Sequence, residues 1–432
     1  MTTDRVIRSY YAIAGTYTLA ASIIWGVNTL FLLDAGLDIF EAFIANAAFT
    51  VGSVVFEIPT GVLADTRGRR ASFLLSVAIL FATTLGYVGV AYLGGGLLWF
   101  CIVSILVGLG FTFYSGAVEA WLVDALEASG HEGPLDSVFA RGSMVTGSAM
   151  LVGSIGGGAL GSIDLSLPYI ARSVILVVVF ALAWFTMHDM GFAPRTLSLS
   201  SLPSEMRKVA TDSVKHGLGV LPLRLLMGIC FVQWGFLMWA WYAWQPYFLE
   251  LWGSGDAVWL AGLISALMSL SMIAGNAMVE RLTKFCGRRT TLMGYAIGVQ
   301  IVAAICVGLA PNFWLAVAAF LVMIGTVGVM GPVRSASIHR LIDAEHRASV
   351  VSLDAMAGNL GSILGQSGLG YTSKVRSIPE SYVLGGLLSL LALPILFWLR
   401  SLDDDSDFIV GERAGEQGGC AAQGTPSIGH VE

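Results

Sequence analysis

The chain has 432 residues, of which 56% are hydrophobic and only 12% are charged, and its formal net charge is −6. Soluble domains average about 25% charged residues, so this composition excludes an ordinary string of soluble domains. The acidic balance argues against a nucleic-acid surface, and the five cysteines are too widely spaced for a disulfide framework or a zinc site.

The longest stretches without charge are each long enough for two membrane-spanning helices. Residues 71–118 and 290–333 contain no Asp, Glu, Lys or Arg. A helix needs about 20 apolar residues to cross the hydrocarbon, and lipid offers the backbone no other hydrogen-bond partner. Breaks at charged, Gly and Pro clusters therefore predict twelve transmembrane helices near residues 12–33, 42–64, 71–93, 97–126, 139–163, 168–188, 222–249, 257–279, 290–310, 313–342, 348–370 and 381–400.

The longest break, rich in positive charge, divides these helices into two sets of six. The motif Gly68-Arg69-Arg70 after the second helix recurs as Gly287-Arg288-Arg289 after the eighth, 219 residues later. Such a spacing is typical of transporters built from two parallel repeats. The predicted domains are an N-terminal six-helix bundle at 1–188, a cytoplasmic linker at 189–221, a C-terminal bundle at 222–400 and a disordered acidic and Gly-rich tail at 401–432.

The distribution of positive charge predicts how the chain is oriented in the membrane. With the N-terminus inside, 20 of the 23 Lys and Arg residues fall on the inner side. Only Arg172, Lys374 and Arg376 fall on the outer side. Both termini are therefore predicted to be cytoplasmic.

Residues 61–70 read G-V-L-A-D-T-R-G-R-R and lie in the first predicted inner loop. This stretch is similar to the G-x-L-a-D-x-x-G-R-[KR] signature of the major facilitator superfamily. The resemblance implies the twelve-helix fold of that family and a latch that holds the two halves in the outward-open state. A simple positive anchor is the plainer interpretation, and the second copy has Lys284 in place of the aspartate. The predicted latch residues are Gly61, Asp65, Gly68, Arg69, Arg70 and Asp124.

Two carboxylates predicted at membrane depth are candidates for proton coupling. Glu57 lies eight residues before Asp65, or about 12 Å into the membrane at about 1.5 Å per residue. Glu119 lies a turn and a half deeper than Asp124 in the fourth helix. A carboxylate is costly there unless it faces a cavity, forms a pair or takes up a proton. A structural hydrogen bond to a neighbouring helix is the alternative interpretation.

The surroundings of both carboxylates resemble a subgroup of bacterial drug exporters that includes some tetracycline efflux proteins. The matching residues are Glu57-x-Pro59 and the segment S-G-x-x-E-A-W that begins at Ser115. The Arg-x-x-x-Gly motif of many proton antiporters is missing from the fourth helix. The fifth helix keeps the glycines of the drug-antiporter signature, at 153–161, but lacks its proline. Close helix packing accounts for those glycines without antiport.

The seventh predicted helix is unusually aromatic. Trp234 and Trp241 are seven residues apart and share a helix face, so they could form a wall against a flat apolar or cationic ligand. Anchoring at the membrane interface is the alternative role for some of these aromatic residues. The predicted substrate-binding residues are Trp25, Asn28, Tyr114, Glu119, Gln233, Trp234, Trp241, Gln245, Asn276 and Asn359.

In the second half, Arg334 and Asp354 both fall within predicted spans. They are therefore predicted to form a buried ion pair. Asp354 is also the candidate for proton coupling if neither carboxylate of the first half serves.

These features predict a monomeric secondary transporter of the plasma or inner membrane that moves a small molecule with the proton gradient and needs no cofactor or metal. No G-x-x-x-x-G-K-[ST] loop or H-E-x-x-H motif is present, so the chain is not predicted to be an enzyme. Proton-coupled export of amphiphilic drugs, with tetracycline-like compounds as one candidate, is the favoured function. The alternatives are uptake or exchange of a small polar solute or anion, held by Arg334 or Arg141, and more distantly a non-transporting receptor.

Overall fold

The computed structural model describes residues 2–114, 116–131, 133–191, 211, 217–342 and 347–409, without the side chains of 58, 65 and 347–349. Within these ranges the regular structure is helical apart from one β-bridge between Arg288 and Phe408. The helices are α1 (Thr3–Ser22), α2 (Asn28–Asp34), α3 (Ile39–Arg67), α4 (Arg69–Tyr92), α5 (Leu97–Tyr114), α6 (Ala117–Ala128), α7 (Leu135–Gly161), α8 (Leu167–Thr186), α9 (Leu221–Trp252), α10 (Val258–Cys286), α11 (Arg289–Gly308), α12 (Phe313–Arg340), α13 (Arg347–Val375), α14 (Ile378–Ser389) and α15 (Ala392–Ser401).

Ten of the twelve predicted spans contain a helix, within the described residues, that is long and apolar enough to cross a membrane. The first and eleventh spans are helical but do not reach this standard. The first is divided, because α1 and α2 are separated by the turn at 23–27. The eleventh, α13, is rich in small and polar residues. Its Gly361 and Gly365 lie directly against backbone carbonyls of α9, where a Cβ would collide. Small residues lower the hydropathy of a helix but let two backbones approach closely.

The same four kinds of helix pair pack in each half of the molecule. In the N-terminal half these are α1 with α7, α3 with α5, α4 with α5 and α4 with α8. In the C-terminal half the corresponding pairs are α9 with α13, α10 with α12, α11 with α12 and α11 with α14. Three further pairs, α3 with α13, α7 with α10 and α2 with α9, join the halves. The repeat seen in the motifs thus extends to the packing of the helices.

The bundle has two ends, which we name by the chain segments they carry. The terminal face carries Thr3, the α3–α4 and α10–α11 turns, and Ser401. The opposite face carries the α2–α3, α4–α5, α7–α8, α9–α10, α11–α12 and α13–α14 turns. Most of the predicted linker and residues 410–432 of the predicted tail lie outside the described residues.

The predicted disordered tail begins at 401, but the structure packs its first residues against the C-terminal half. Asp407 is buried and accepts hydrogen bonds of 2.7 Å from both the backbone nitrogen and the hydroxyl of Thr290. The Arg289 guanidinium donates to the carbonyls of Ser406 and Phe408, each at 2.7 Å. Asp407 therefore caps the first turn of α11, where unpaired backbone N–H groups favour a negative charge. Acidic composition alone did not reveal this role.

Replacing Asp407 with alanine should lower the stability of the C-terminal half. The change leaves two buried donors of Thr290 without an acceptor, which costs about 2 kcal/mol. Thermal unfolding of the purified protein should show a midpoint several degrees below that of the wild type. Asp256→Ala, at an exposed position on the opposite face, is the matched control. Equal midpoints for the two variants would show that the tail contributes nothing to stability.

Candidate functional site

A cavity of about 470 Å³ lies in the N-terminal half and reaches the interface with the C-terminal half. This volume is within the range of pockets that take drug-sized ligands. Helix α9 of the C-terminal half contributes Trp241 and Tyr242. The remaining described lining residues are Tyr17, Thr18, Ala21, Ile24, Trp25, Asn28, Asn46, Phe49, Leu80, Thr84, Tyr87, Val107, Phe111, Tyr114, Tyr169 and Arg172. We call this space the central cavity.

The break between α1 and α2 places polar groups on the cavity wall. Asn28, the first residue of α2, donates from its amide nitrogen to Asn46 Oδ1 of α3 at 2.8 Å. The Tyr169 hydroxyl of α8 donates to Asn28 Oδ1 at 2.9 Å. The three side chains therefore hold one another in place, while Nδ2 of Asn46 is buried without a partner among the described residues.

Half of the 18 described lining residues of the cavity are aromatic, and four of them stack in pairs. Tyr17 and Tyr114 stack with ring centroids 3.8 Å apart and planes 11° apart. Tyr87 and Tyr169 stack at 5.8 Å and 19°. Aromatic faces of this kind favour flat ligands, because offset stacking contributes beyond the burial of area alone.

Arg172 is the charged residue of the described cavity lining, and it was missed by the sequence reasoning. The charge count assigned it to the outer side of the membrane, within the sixth predicted span 168–188, and no binding role was predicted for it. It lies in the second turn of α8 and is 8% exposed. The available signal was its position inside that span, where a positive charge is costly unless it faces a cavity or has a partner.

A second pocket, of about 390 Å³, leads from the central cavity toward the terminal face. Thr18 and Tyr114 line both spaces. Tyr10 of α1 and Gly142 of α7 line the second pocket in the terminal-face halves of their helices. Glu119 also lines it, with an exposed side chain. We call this space the access pocket.

At the opposite face, α9 closes the cavity against the α1–α2 break. The backbone nitrogen of Thr29 donates to Gln245 Oε1 at 2.8 Å, and Gln245 Nε2 donates to the Trp25 carbonyl at 2.9 Å. The Thr29 hydroxyl donates to the carbonyl of Tyr242 at 3.0 Å. Gln245, predicted to bind substrate, is therefore occupied in joining the two halves.

Helices α7 and α10 close the opposite face at a crossing of two glycines. A Cβ added to Gly158 would lie 2.6 Å from the Cα of Gly262. One turn away along α7, the Ser265 hydroxyl donates to the Ser154 hydroxyl at 3.3 Å. The glycines of the fifth span thus have a defined role in close packing.

An ion pair between α13 and the start of α3 also lies at the opposite face. Lys374 Nζ donates to Asp38 Oδ2 at 2.7 Å. Partial burial acts to raise the pKa of Asp38, but the hydrogen bonds from Lys374 and from the backbone of Glu41 and Phe40 outweigh it and lower that pKa below its ordinary value. The hydrogen bond to Asp38 raises the pKa of Lys374. Both groups therefore remain charged at neutral pH.

The predicted substrate residues are only partly brought together. Trp25, Asn28, Tyr114 and Trp241 line the central cavity, and Glu119 lines the access pocket. Trp234 does not share a wall with Trp241, since seven residues along a helix separate them by about 10 Å.

The remaining substrate predictions fall elsewhere in the C-terminal half. Trp234 is 39% exposed and, with Gln233, lines a separate cavity of about 80 Å³. Gln233 accepts a hydrogen bond of 2.8 Å from Gln300. Asn276 is exposed and Asn359 half-buried, and neither belongs to the described lining of the central cavity or the access pocket.

The other ionisable candidates also have defined places. Glu57 is exposed and lies at the end of the apolar span Ile39–Glu57, away from the described lining of the central cavity and the access pocket. The Arg334 guanidinium donates directly to the buried carboxylate of Asp354. Arg141 is exposed.

The predicted latch forms a tight turn at Gly68, which has a φ of 101°. The backbone nitrogen of Arg70 donates to the carboxylate of Asp189 at 2.9 Å, and its guanidinium lies over the ring of Trp184, 4.9 Å from the centroid. Asp189 thus caps α4 as Asp407 caps α11. Gly61 faces open space. Arg69 and Asp124 each interact with at least one other group, so neither side chain is without a partner. The side chain of Asp65 lies outside the described part of the structure.

The fold is shared with solved transporter structures. The nucleoside transporter NupG superposes with a TM-score of 0.75 at 11% identity, over 92% of this chain and 99% of that one. The human organic anion transporter MFSD10 (TETRAN) gives 0.62 at 15% identity, over 92% and 100%. A bacterial homologue of the human lysosomal transporter Spinster, in an inward-facing and unoccupied conformation, gives 0.70 at 15% identity, over 95% and 99%.

Sequence comparison leads to the same family. The chain is 23% identical over 174 residues to the uncharacterized MFS-type transporter YxaM of Bacillus subtilis (strain 168), a match that covers 40% of this chain and 41% of that protein. The profile of the Major Facilitator Superfamily matches residues 11–283 and 257–417. Proteins of this family are membrane transporters and not enzymes. The all-helical membrane fold and the family resemblance are confirmed: this chain belongs to the Major Facilitator Superfamily.

Proposed function

We propose that this protein exports an amphiphilic, aromatic small molecule through the central cavity, in exchange for protons. The observation that carries the proposal is the cavity itself. Its walls are stacked tyrosines and two tryptophans, with a small polar patch at Asn28 and Asn46. A pocket that is mostly apolar with a few placed polar groups suits an amphiphile better than a highly polar solute.

The arrangement of the two ends supports transport by alternating access. The described hydrogen bonds and ion pairs between the halves join residues nearer the opposite face. The access pocket runs toward the terminal face. If the terminal face is cytoplasmic, as the positive charges predict, this is an inward-facing state. A substrate of an exporter would enter the central cavity in this state.

Glu119 is the carboxylate best placed for proton coupling. It lines the access pocket and is accessible to water in this state, and Tyr114 beside it lines both spaces. Asp354 is engaged by Arg334 in the other half. Because no carboxylate belongs to the described lining of the central cavity, the proton and the substrate would occupy neighbouring sites and not one shared site.

Uptake or exchange of a small anion is the second candidate function, and the buried Arg172 favours it. The earlier candidates for holding an anion are less suitable, since Arg334 is paired and Arg141 is exposed. Measuring the direction of transport separates the two functions, because an anion importer would accumulate its substrate in intact cells.

The proposal is tested by expressing the protein in a bacterium that lacks its major drug exporters. A panel of aromatic amphiphiles, with tetracycline included, should contain at least one compound whose inhibitory concentration rises several-fold. Dissipating the proton gradient should remove the protection. A Glu119→Gln variant at equal expression is the matched control. Unchanged susceptibility across the panel, or increased susceptibility from accumulation, would refute export of such compounds.

A further inference from the structure

We infer that Arg172 binds the anionic group of the transported molecule, so that the central cavity takes a planar aromatic carboxylate or a similar organic anion. This inference rests on the proposed function in one respect, that the central cavity is the substrate site. It adds the charge of the substrate and the residue that recognises it.

The burial of Arg172 is the first observation. The side chain is more than nine-tenths buried in a helix that is apolar enough to span the membrane. An isolated cation at such a depth is costly, and proteins compensate it with a counterion or with a water-filled cavity. Arg172 lines the central cavity, so its charge is directed to the space where a ligand would bind.

The lack of a protein counterion is the second observation. Among the described residues no carboxylate lies within ion-pair distance of Arg172, and its Nε atom is buried without a hydrogen-bond partner. The other arginines buried or half-buried in spanning helices have partners: Arg334 is paired with Asp354, and Arg289 donates to the carbonyls of Ser406 and Phe408. The contrast indicates that the partner of Arg172 is not part of the described protein.

A second unpaired donor lines the same space. Asn46 Nδ2 is buried in the cavity lining and also lacks a partner among the described residues. Guanidinium and amide N–H groups that converge on one cavity match the two oxygens of a carboxylate. The half-buried rings of Trp25 and Trp241 in the same lining supply faces for an aromatic body. A purely structural cation, buried among the tyrosines of the same cavity lining, is the competing explanation.

The inference is tested by calorimetric titration of the purified protein with a matched pair of probes, 2-naphthoate and its neutral amide, 2-naphthamide. The two have nearly the same shape and differ in charge. A charge-assisted hydrogen bond contributes roughly 1.5–3 kcal/mol, so the wild type should prefer the carboxylate by about 10-fold or more. Arg172→Gln should reduce this preference to near unity, and Arg172→Lys should retain part of it.

Arg376→Gln removes a positive charge from an exposed pair on the opposite face and should leave the preference unchanged. Measurements on the wild type alone could overturn the inference. They would do so if the wild type bound the two probes with equal affinity or did not bind 2-naphthoate. A folded Arg172→Gln protein that keeps the preference would assign Arg172 a structural role. Binding needs no gradient, so loss of export with intact anion preference would refute the proposed function and leave this inference standing.

Discussion

Replacing Gly158 with leucine is expected to abolish transport while the protein still folds and inserts. A Cβ at this position lies 2.6 Å from the Cα of Gly262 and 3.1 Å from the carbonyl of Trp259. Extra methylenes in a packed contact cost about 1–3 kcal/mol, and here the cost is borne by the state in which α7 and α10 touch. The halves must therefore separate at the opposite face. A transporter that cannot close one face cannot complete its cycle.

Gly156→Leu is the matched control, because a Cβ at Gly156 meets nothing within 4 Å. Closure is measured by cross-linking cysteines introduced at Asp38 and Lys374 with a short bis-maleimide, in a background without native cysteines. Cross-linking should fall in Gly158→Leu and remain at the control level in Gly156→Leu. Normal transport by a folded Gly158→Leu protein would mean that this glycine crossing is not needed for closure.

Replacing Glu119 with glutamine is expected to abolish pH-driven uphill transport but to leave downhill exchange of substrate intact. The amide mimics the protonated carboxyl group and cannot release a proton, so the access pocket would remain in one protonation state. Proteoliposomes with an imposed pH gradient give the uphill rate, and counterflow without a gradient gives exchange. The uphill signal should fall to the level of empty vesicles.

Glu57→Gln serves as the control for Glu119→Gln. Its side chain is away from the described lining of the cavity and the access pocket, so the variant should still pump. If Glu57→Gln alone loses uphill transport, the proton path runs through α3 and not through the access pocket. If both variants pump with wild-type pH dependence, Asp354 is the next carboxylate to test. Protonation of Asp354 would break its ion pair with Arg334.

The helical state of the apolar segments and the family of the protein could be predicted from the sequence, and ten of the twelve predicted spans contain a helix that, within the described residues, is long and apolar enough to cross a membrane. The bilayer imposes a length and requires internal hydrogen bonds, so each span is constrained by its own composition. The turn at Gly68-Arg69-Arg70 and its repeat at Gly287 could also be predicted from the sequence. A tight turn with a positive φ requires glycine, and this requirement is local.

The site depended on which helix faces meet, and only the tertiary structure decided this. Trp234 and Trp241 share a face in sequence but line different cavities. Gln245 was predicted to bind substrate, but its side chain forms hydrogen bonds that join the two halves. Arg172 was counted only as an outer charge, yet it lines the cavity with no carboxylate partner among the described residues. Charge counting assigns a residue to a side of the membrane, but it cannot tell whether a residue near a span boundary points outward or into the bundle. That choice is made by close contacts between distant segments, such as Gly158 with Gly262, which no local pattern of the sequence records.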